Sequence, residues 1–177
     1  MAKRINKDEE ITVKSLIRDG NFYYQKGDFE IELEPYDDDF IDFGSLKKMK
    51  AKNRKLLETF KILIVDCEDS NVEDVIKELK LEDSYDELKA ITGSDNYEFD
   101  TDAIAEYVIE SDAKDFVKIV KSDKSKVRDL LIREAVYQFK QGKLVDTNKT
   151  DAIAESIGID NKVMISAFWD DIRQSIE

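Results

Sequence analysis

The sequence predicts an α+β protein that is predominantly α-helical. A short segment of alternating apolar and acidic residues lies near the N-terminus, and apolar residues recur at helical spacing through most of the remainder. One proline and six glycines occur among 177 residues. Because these residues interrupt helices, their scarcity favours long helices with few breaks. We therefore expect a small N-terminal antiparallel β-meander packed on a helix, followed by a helical C-terminal half.

The meander is predicted over the first 35 residues. Its clearest strand is 29–34, because Phe, Ile and Leu alternate there with three glutamates. Candidate strands at 10–17 and 22–25 precede it, and Asp19-Gly20 is a hairpin signal between them. Pro35 ends the segment. We expect the three strands to form one small sheet.

Helices are expected after the meander. Apolar residues at helical spacing predict one helix from Ser45 to about Cys67, although the β-branched run 62–65 is also compatible with a buried strand. A second helix is predicted at Val72–Leu81, with Ser70 or Asn71 as its N-cap, and a third at 85–91.

The segment 92–96, Thr-Gly-Ser-Asp-Asn, is the best linker candidate. It separates an N-terminal α+β region, 1–92, from a helical region, 97–177, with one continuous domain as the alternative. Gly142 follows the longest helical pattern, where a C′ residue is expected. The predicted helices of the second region are 101–111, 113–121, 124–141, 151–157 and 160–175.

The hexapeptide Thr-Asp-Ala-Ile-Ala-Glu occurs twice, at 101–106 and 150–155. A duplicated helical hairpin is one interpretation. The identity ends after six residues, however, and Thr-Asp is a common helix start. We therefore favour two independent helix N-termini.

The chain is strongly acidic, with 41 acidic and 28 basic residues and a net charge of −13. Residues 66–112 contain seventeen acids and three lysines, a net charge of −14. Such blocks are most simply neutralised by basic blocks elsewhere in the fold. The sharper interpretation is an acidic face that meets a basic partner.

The composition excludes several chemistries. No histidine occurs, so Ser-His-Asp sites, Cys-His sites and the commonest zinc sites are absent. The single cysteine, Cys67, cannot form an intrachain disulfide, and Asp66, Glu68 and Asp69 should raise its pKa rather than activate it. Phosphate-binding glycine motifs and nucleophile elbows are also missing. We expect neither an enzyme nor a cofactor or metal site.

Two groups of residues are candidates for partner binding. The first is the acidic run Asp37, Asp38, Asp39 and Asp42, which we interpret as a solvated loop or docking patch because the EF-hand spacing for Ca²⁺ is missing. The second is the aromatic pair Phe168 and Trp169, which we interpret as core or interface anchors.

Residues 151–173 have roughly the spacing of a helix-turn-helix motif. The positions that match are Ala154, Gly158, Ile159, Val163 and Ile165. The second helix of this segment, residues 160–171, offers one lysine and three aspartates, a poor charge for the major groove of DNA. A packed helical hairpin is the better interpretation.

The preferred function is a non-enzymatic, acidic protein-binding protein whose partner has a basic surface. Suitable roles are an assembly chaperone, an accessory factor of a phage or mobile element, or an inhibitor of a host protein, since the Lys/Asp/Ile-rich composition is typical of low-GC bacteria and their phages. The alternatives are a DNA-mimic inhibitor, a helix-turn-helix transcriptional regulator and a carboxylate-dependent hydrolase. Nucleic acid is not an expected partner. The sequence leaves open whether the protein forms a homo-oligomer.

The sequence favours a cytoplasmic location, in a bacterium or its host. The basic start leads into acids with no apolar signal-peptide region. The longest apolar run, 62–65, is too short to cross a bilayer. We therefore expect no membrane association.

Overall fold

A computed structural model describes residues 5–175 of the chain. The chain divides into two compact units, Met1–Phe99 (unit 1) and Asp100–Glu177 (unit 2). Unit 1 contains all five strands of the described residues, and unit 2 is helical. The predicted fold class, α+β and mainly α with a small antiparallel β region at the N-terminus, is confirmed.

Unit 1 combines two small antiparallel sheets with four helices. The elements are β1 Glu10–Ser15, β2 Phe22–Lys26, β3 Phe29–Leu33, β4 Asp38–Asp42, α1 Phe43–Lys52, α2 Lys55–Glu58, β5 Ile62–Cys67, α3 Val72–Glu78 and α4 Glu82–Thr92. Three strands form one sheet in the order β4-β1-β5, and β2 and β3 form a separate hairpin.

The pairing of the first strand differs from the expected single sheet. The hairpin β2–β3 forms as predicted, with Ile31 and Leu33 buried and the glutamates of β3 exposed. Strand β1 instead lies between β4 and β5. Its buried face is apolar, and Ile11 pairs with Ile41 while Val13 pairs with Ile64. The isoleucines of β4 and β5 therefore cover the buried face of β1, which the mostly exposed β2–β3 hairpin could not do.

The single helix predicted for residues 45–67 is wrong in its second half. Helix α1 ends at Lys52, α2 is one short turn, and 62–67 is strand β5. The strand alternative is therefore confirmed, because β-branched residues pack well in a strand whose side chains at 62–64 are buried. Phe60, with a φ of 54°, turns the chain between α2 and β5.

The acidic run was expected to be a loop or docking patch, and most of it is strand β4. Ile41 is 2% exposed and lies opposite Ile11, which fixes the register of the strand. Because β4 is at the edge of its sheet, the carboxylates of Asp38 and Asp39 stay in solvent. A charged sequence is thus compatible with a strand at this position.

Tyr85 is the centre of the core of unit 1. Its side chain is fully buried, and its hydroxyl oxygen accepts a hydrogen bond of 3.0 Å from the Ile64 N–H. Ring centroids of Phe60, Tyr97 and Phe99 lie 5.2, 5.7 and 5.9 Å from that of Tyr85. The predicted linker 92–96 therefore leads into aromatic residues that pack on unit 1. The division into separate domains stays a prediction.

Unit 2 is a bundle of five described helices. The elements are α5 Asp102–Glu110, α6 Ala113–Val120, α7 Arg128–Lys140, α8 Thr147–Ser156 and α9 Lys162–Gln174. Helix α7 packs on α5, α6 and α9, and α8 packs on α6 and α9. Gly142, with a φ of 70°, ends α7 as expected for a C′ residue.

The two copies of the repeated hexapeptide occupy different places in their helices. The first copy starts α5, as expected. The second lies inside α8, which begins at Thr147 rather than 151 because the Asp146 side chain accepts from the N–H groups of Asn148 and Lys149. A stronger N-cap four residues upstream therefore overrides the Thr-Asp signal.

In unit 2, basic side chains donate hydrogen bonds to backbone carbonyl groups at the C-terminal ends of three helices. Lys149 is 1% exposed, and its Nζ donates to the carbonyls of Val108 and Ile109, at 2.9 and 3.2 Å, at the end of α5. Arg128 donates to the Val120 carbonyl of α6 and the Ser156 carbonyl of α8. Terminal helix carbonyls need such partners, and cations suit the negative end of the helix dipole.

Across residues 5–175, none of the helices has the combination of length and apolar character that spanning a bilayer requires.

Replacing Tyr85 with Phe should destabilise unit 1 by about 2 kcal/mol, because it leaves the buried Ile64 N–H without an acceptor. Hydrogen exchange of the Ile64 amide should then accelerate by about thirtyfold. Tyr23→Phe is the matched control, since Tyr23 is 53% exposed, and should change stability by less than about 0.5 kcal/mol. Unchanged exchange at Ile64 would contradict the assigned role of Tyr85.

Replacing Lys149 with Ala should destabilise unit 2 by about 3 kcal/mol, because the buried carbonyls of Val108 and Ile109 lose their donor. Urea unfolding followed by Trp169 fluorescence reports on unit 2 alone, since the chain has one tryptophan. Lys118→Ala, at an exposed position of α6, should cost less than about 0.5 kcal/mol. Equal effects of the two substitutions would show that the buried hydrogen bonds contribute little.

Candidate functional site

A groove of about 690 Å³ lies in unit 1, between the end of β5, the start of α3 and the segment 96–98. Its lining contains three carboxylates and no basic side chain, so we call it the anionic groove. The lining residues are Val65, Asp66, Ser70, Asn71, Val72, Glu73, Asn96, Tyr97 and Glu98.

One wall of the anionic groove is fixed by a buried glutamate. Glu9 is 4% exposed, and its carboxylate accepts hydrogen bonds from the Asp69 N–H at 3.3 Å and the Ser70 N–H at 2.7 Å. It also accepts from the Ser70 hydroxyl at 2.9 Å. The Asn71 side chain then caps α3 through the Asp74 N–H. These hydrogen bonds hold the loop between β5 and α3 in one conformation.

The opposite wall is built by Tyr97. Its ring packs edge-on against Tyr85, and its hydroxyl donates a 2.8 Å hydrogen bond to the Asp86 carboxylate. The Lys89 ammonium lies 5.2 Å from the centre of the ring. Burial, together with Asp86, raises the pKa of Tyr97 to about 12. The phenol is therefore neutral near pH 7 and presents an aromatic surface to the groove.

The carboxylates of the anionic groove differ in how far they are compensated. Glu73 forms a 2.5 Å ion pair with Lys77, and this hydrogen bond lowers the pKa of Glu73. Within the described residues, the Asp66 carboxylate accepts a hydrogen bond only from the Cys67 N–H, and the Glu98 carboxylate accepts only from the side-chain amide of Asn96, at 3.3 Å. Neither of these two carboxylates has a cation within ion-pair distance in residues 5–175. The groove therefore offers two uncompensated charges to an incoming cation.

Cys67, next to the anionic groove, has a thiol that stays protonated near neutral pH. Burial raises the pKa of its thiol to about 12, and Glu9 and Asp66 add to the effect. The sequence predicted the direction of this shift. Of the neighbours it named, only Asp66 contributes. Glu9, distant along the chain, could not be foreseen.

The acidic residues singled out from the sequence have separate roles. Asp42 caps α1 by accepting from the Ser45 N–H at 2.8 Å, so its carboxylate serves the fold. Asp37 lies in the exposed turn before β4, where its carbonyl accepts from the Ser15 N–H. Asp38 and Asp39 are exposed on β4 itself. A partner at Asp37, Asp38 and Asp39 stays a prediction.

The aromatic pair singled out from the sequence lies on α9 in unit 2. Trp169 is 5% exposed, and its ring centroid lies 4.3 Å from that of Phe139 on α7. Phe168 is half-buried and packs edge-on against Trp169 at 4.9 Å. Trp169 thus anchors α9 to the bundle and also lines a groove, which is described below.

Helices α8 and α9 form a hairpin with Gly158 in the turn, at a φ of 91°. The helix-turn-helix spacing would bury Val163, which is instead 78% exposed, as Met164 is at 64%. An apolar rather than basic surface on α9 does not suit phosphate contacts. The regulator hypothesis stays a prediction without structural support. Within residues 5–175, no three Cys, Asp or Glu side chains are gathered as a metal site would require.

The sequence interpretation found the acidic block 66–112 but missed the anionic groove. The residues that line the groove come from two segments, 65–73 and 96–98, which are more than twenty positions apart in the sequence. Tyr97 lies directly after the predicted linker. One signal was available, because two aromatic residues, Tyr97 and Phe99, directly follow the predicted linker, and large aromatic side chains are usually buried. Comparison of the chain with protein-family models, curated proteins and solved structures finds no match.

At about pH 8, Cys67 should react with iodoacetamide about a hundredfold more slowly in the native chain than in the urea-unfolded chain. The raised pKa keeps the thiol of the folded chain protonated, and only the thiolate reacts. The chain has one cysteine, so mass spectrometry of the whole protein measures the rate directly. Raising the pH toward 12 should restore the rate in the folded chain. Equal rates in the two states near pH 8 would contradict the assigned environment.

Proposed function

We propose that this protein is a non-enzymatic protein-binding protein whose anionic groove takes a basic segment of a partner protein. One observation carries the proposal. Asp66 and Glu98 have no cation within ion-pair distance in the described residues, and they line the same groove as Tyr97. Charge complementarity therefore defines the occupant as lysine- or arginine-rich.

The groove has the mixed chemistry of a protein-binding surface. Tyr97 supplies a rigid aromatic anchor, and Val65 and Val72 supply apolar surface around it. A guanidinium or ammonium group could lie against the Tyr97 ring and reach the carboxylates at the same time. Individual exposed ion pairs are weak, so affinity would come from several together.

The wider surroundings strengthen this preference. Residues 66–99 contain twelve acids and three lysines. Lys77 is engaged with Glu73, and Lys89 lies over Tyr97. The field around the groove is therefore negative, which attracts basic partners and speeds their association.

The missing catalytic residues support a binding role over an enzymatic one. The chain has no histidine, and its one thiol is held protonated near neutral pH. A role as assembly chaperone, phage or mobile-element accessory factor, or inhibitor of a host protein, acting in the cytoplasm, is part of the proposal. A DNA mimic would use the same charges, and it becomes one outcome of the test below.

Reversing the charge of the anionic groove should abolish partner capture. We expect Asp66→Lys with Glu98→Lys to reduce recovery of a basic partner from bacterial lysate by about tenfold or more, because two attractive contacts become repulsive. The readout is quantitative mass spectrometry of affinity-purified material at low and moderate salt. Glu106→Lys with Glu110→Lys, two exposed positions of α5 in unit 2, is the control with the same change in net charge.

Equal recovery with the groove and control variants would refute the proposed site, and no capture above background at either salt would refute protein binding itself. Competition of the captured partner by duplex DNA would favour a DNA mimic, since both ligands would then share one site. Thermal unfolding of both double variants checks that each remains folded.

A further inference from the structure

A second groove, of about 340 Å³, lies in unit 2 beside α9. Its floor is formed by apolar and aromatic side chains from α7 and α9, including Phe139, Ile165 and Trp169. Val145, which is 80% exposed, also lines it. We call it the tryptophan groove. Its volume is at the lower end of the range of about 300–1,000 Å³ for ligand sites.

Trp169, which lines the tryptophan groove, carries a buried donor that has no acceptor. Trp169 is 5% exposed, and its Nε1–H has no hydrogen-bond partner. Buried indole N–H groups usually have a partner, because leaving the group unsatisfied costs free energy. A ligand that brings an acceptor to this nitrogen would recover that cost.

The other polar groups of the groove favour an uncharged occupant. Two carboxylates, Asp151 and Asp170, are balanced by Lys162 and Arg173, so the lining has no net charge. Arg173 is already engaged with Asp170, at 3.4 Å, and with the ring of Phe139. Asp151 is half-buried and has no side-chain partner in residues 5–175. The groove therefore offers both donors and an acceptor around an apolar floor.

We infer that the tryptophan groove binds a short, uncharged polypeptide segment of a partner protein. An apolar side chain of that segment lies on Phe139, Ile165 and Val145, and a backbone carbonyl accepts from the Trp169 Nε1–H. A peptide backbone supplies both the acceptor that Trp169 lacks and the N–H donors that suit Asp151. This inference is independent of the anionic groove, which lies in unit 1 and selects basic groups.

The single tryptophan makes the site directly observable. In a ¹⁵N-labelled full-length chain, one indole N–H signal arises, and it belongs to Trp169. The probe is the blocked pentapeptide N-acetyl-Ala-Ala-Leu-Ala-Ala-amide. We expect a saturable downfield shift of the indole proton, with half-saturation on the order of 1 mM. The same peptide with serine in place of leucine should bind about tenfold more weakly.

Two variants with equally exposed valines provide the control. Val145→Asp, in the groove, should weaken peptide binding about tenfold, because it places a charge against the apolar anchor. Val163→Asp, on α9 but outside the lining, is 78% exposed and should leave binding unchanged. Both positions are in solvent, so both variants should keep the spectrum of the folded chain.

Absence of a saturable indole shift would overturn the inference. So would equal binding of the leucine and serine peptides, or an equal effect of Val145→Asp and Val163→Asp. N-acetyl-leucinamide provides the remaining test, and it should bind about tenfold more weakly than the pentapeptide. If it binds as tightly, the groove is a small-molecule site and the assignment to a polypeptide is wrong.

Discussion

The structure depends on satisfying backbone groups that two small cores would otherwise bury without partners. In each unit a long polar side chain does this from a distant position in the sequence. Tyr85 reaches from α4 to the Ile64 N–H of β5, and Lys149 reaches from α8 to the last carbonyls of α5. Glu9 does the same for the loop after β5. Small units have little apolar surface to offset an unsatisfied group, so these few hydrogen bonds determine which elements can pack together.

Elements with a strong local pattern were predictable, whereas those decided by distant contacts were not. The alternation of apolar and acidic residues in β3 and the N-cap of α3 both depend on residues adjacent in the sequence, and both were confirmed. Strand β4 was missed because aspartate is rare in strands, and only its edge position and the pairing of Ile41 with Ile11 make it one. The helix expected up to Cys67 failed because β-branching at 62–65 outweighs helical spacing once a partner strand is present.

The same distinction applies to the candidate sites. Composition was sufficient to locate the excess negative charge and to exclude histidine chemistry, and Trp169 was singled out as an anchor. The anionic groove was not foreseen, because it exists only where Glu9 holds one wall and the packing of Tyr97 on Tyr85 holds the other. Asp42 shows the converse case. Its sequence context suggested a docking patch, yet its carboxylate is used as a helix cap. Carboxylates that serve the fold and those available to a partner look alike until their hydrogen bonds are known.

Strand β4 has a consequence for behaviour in acid. It is an edge strand, and one of its edges has no partner strand in the sheet. The exposed carboxylates of Asp38 and Asp39 lie on this strand, and Phe40 beside them is 62% exposed. Charges on an outer strand keep sheets of different molecules from joining. Near the isoelectric point of about 4.6 the molecules no longer repel one another. With that net repulsion gone, the exposed Phe40 on this outer strand favours pairing between molecules, so intermolecular β-sheet would begin at β4 rather than at a buried strand.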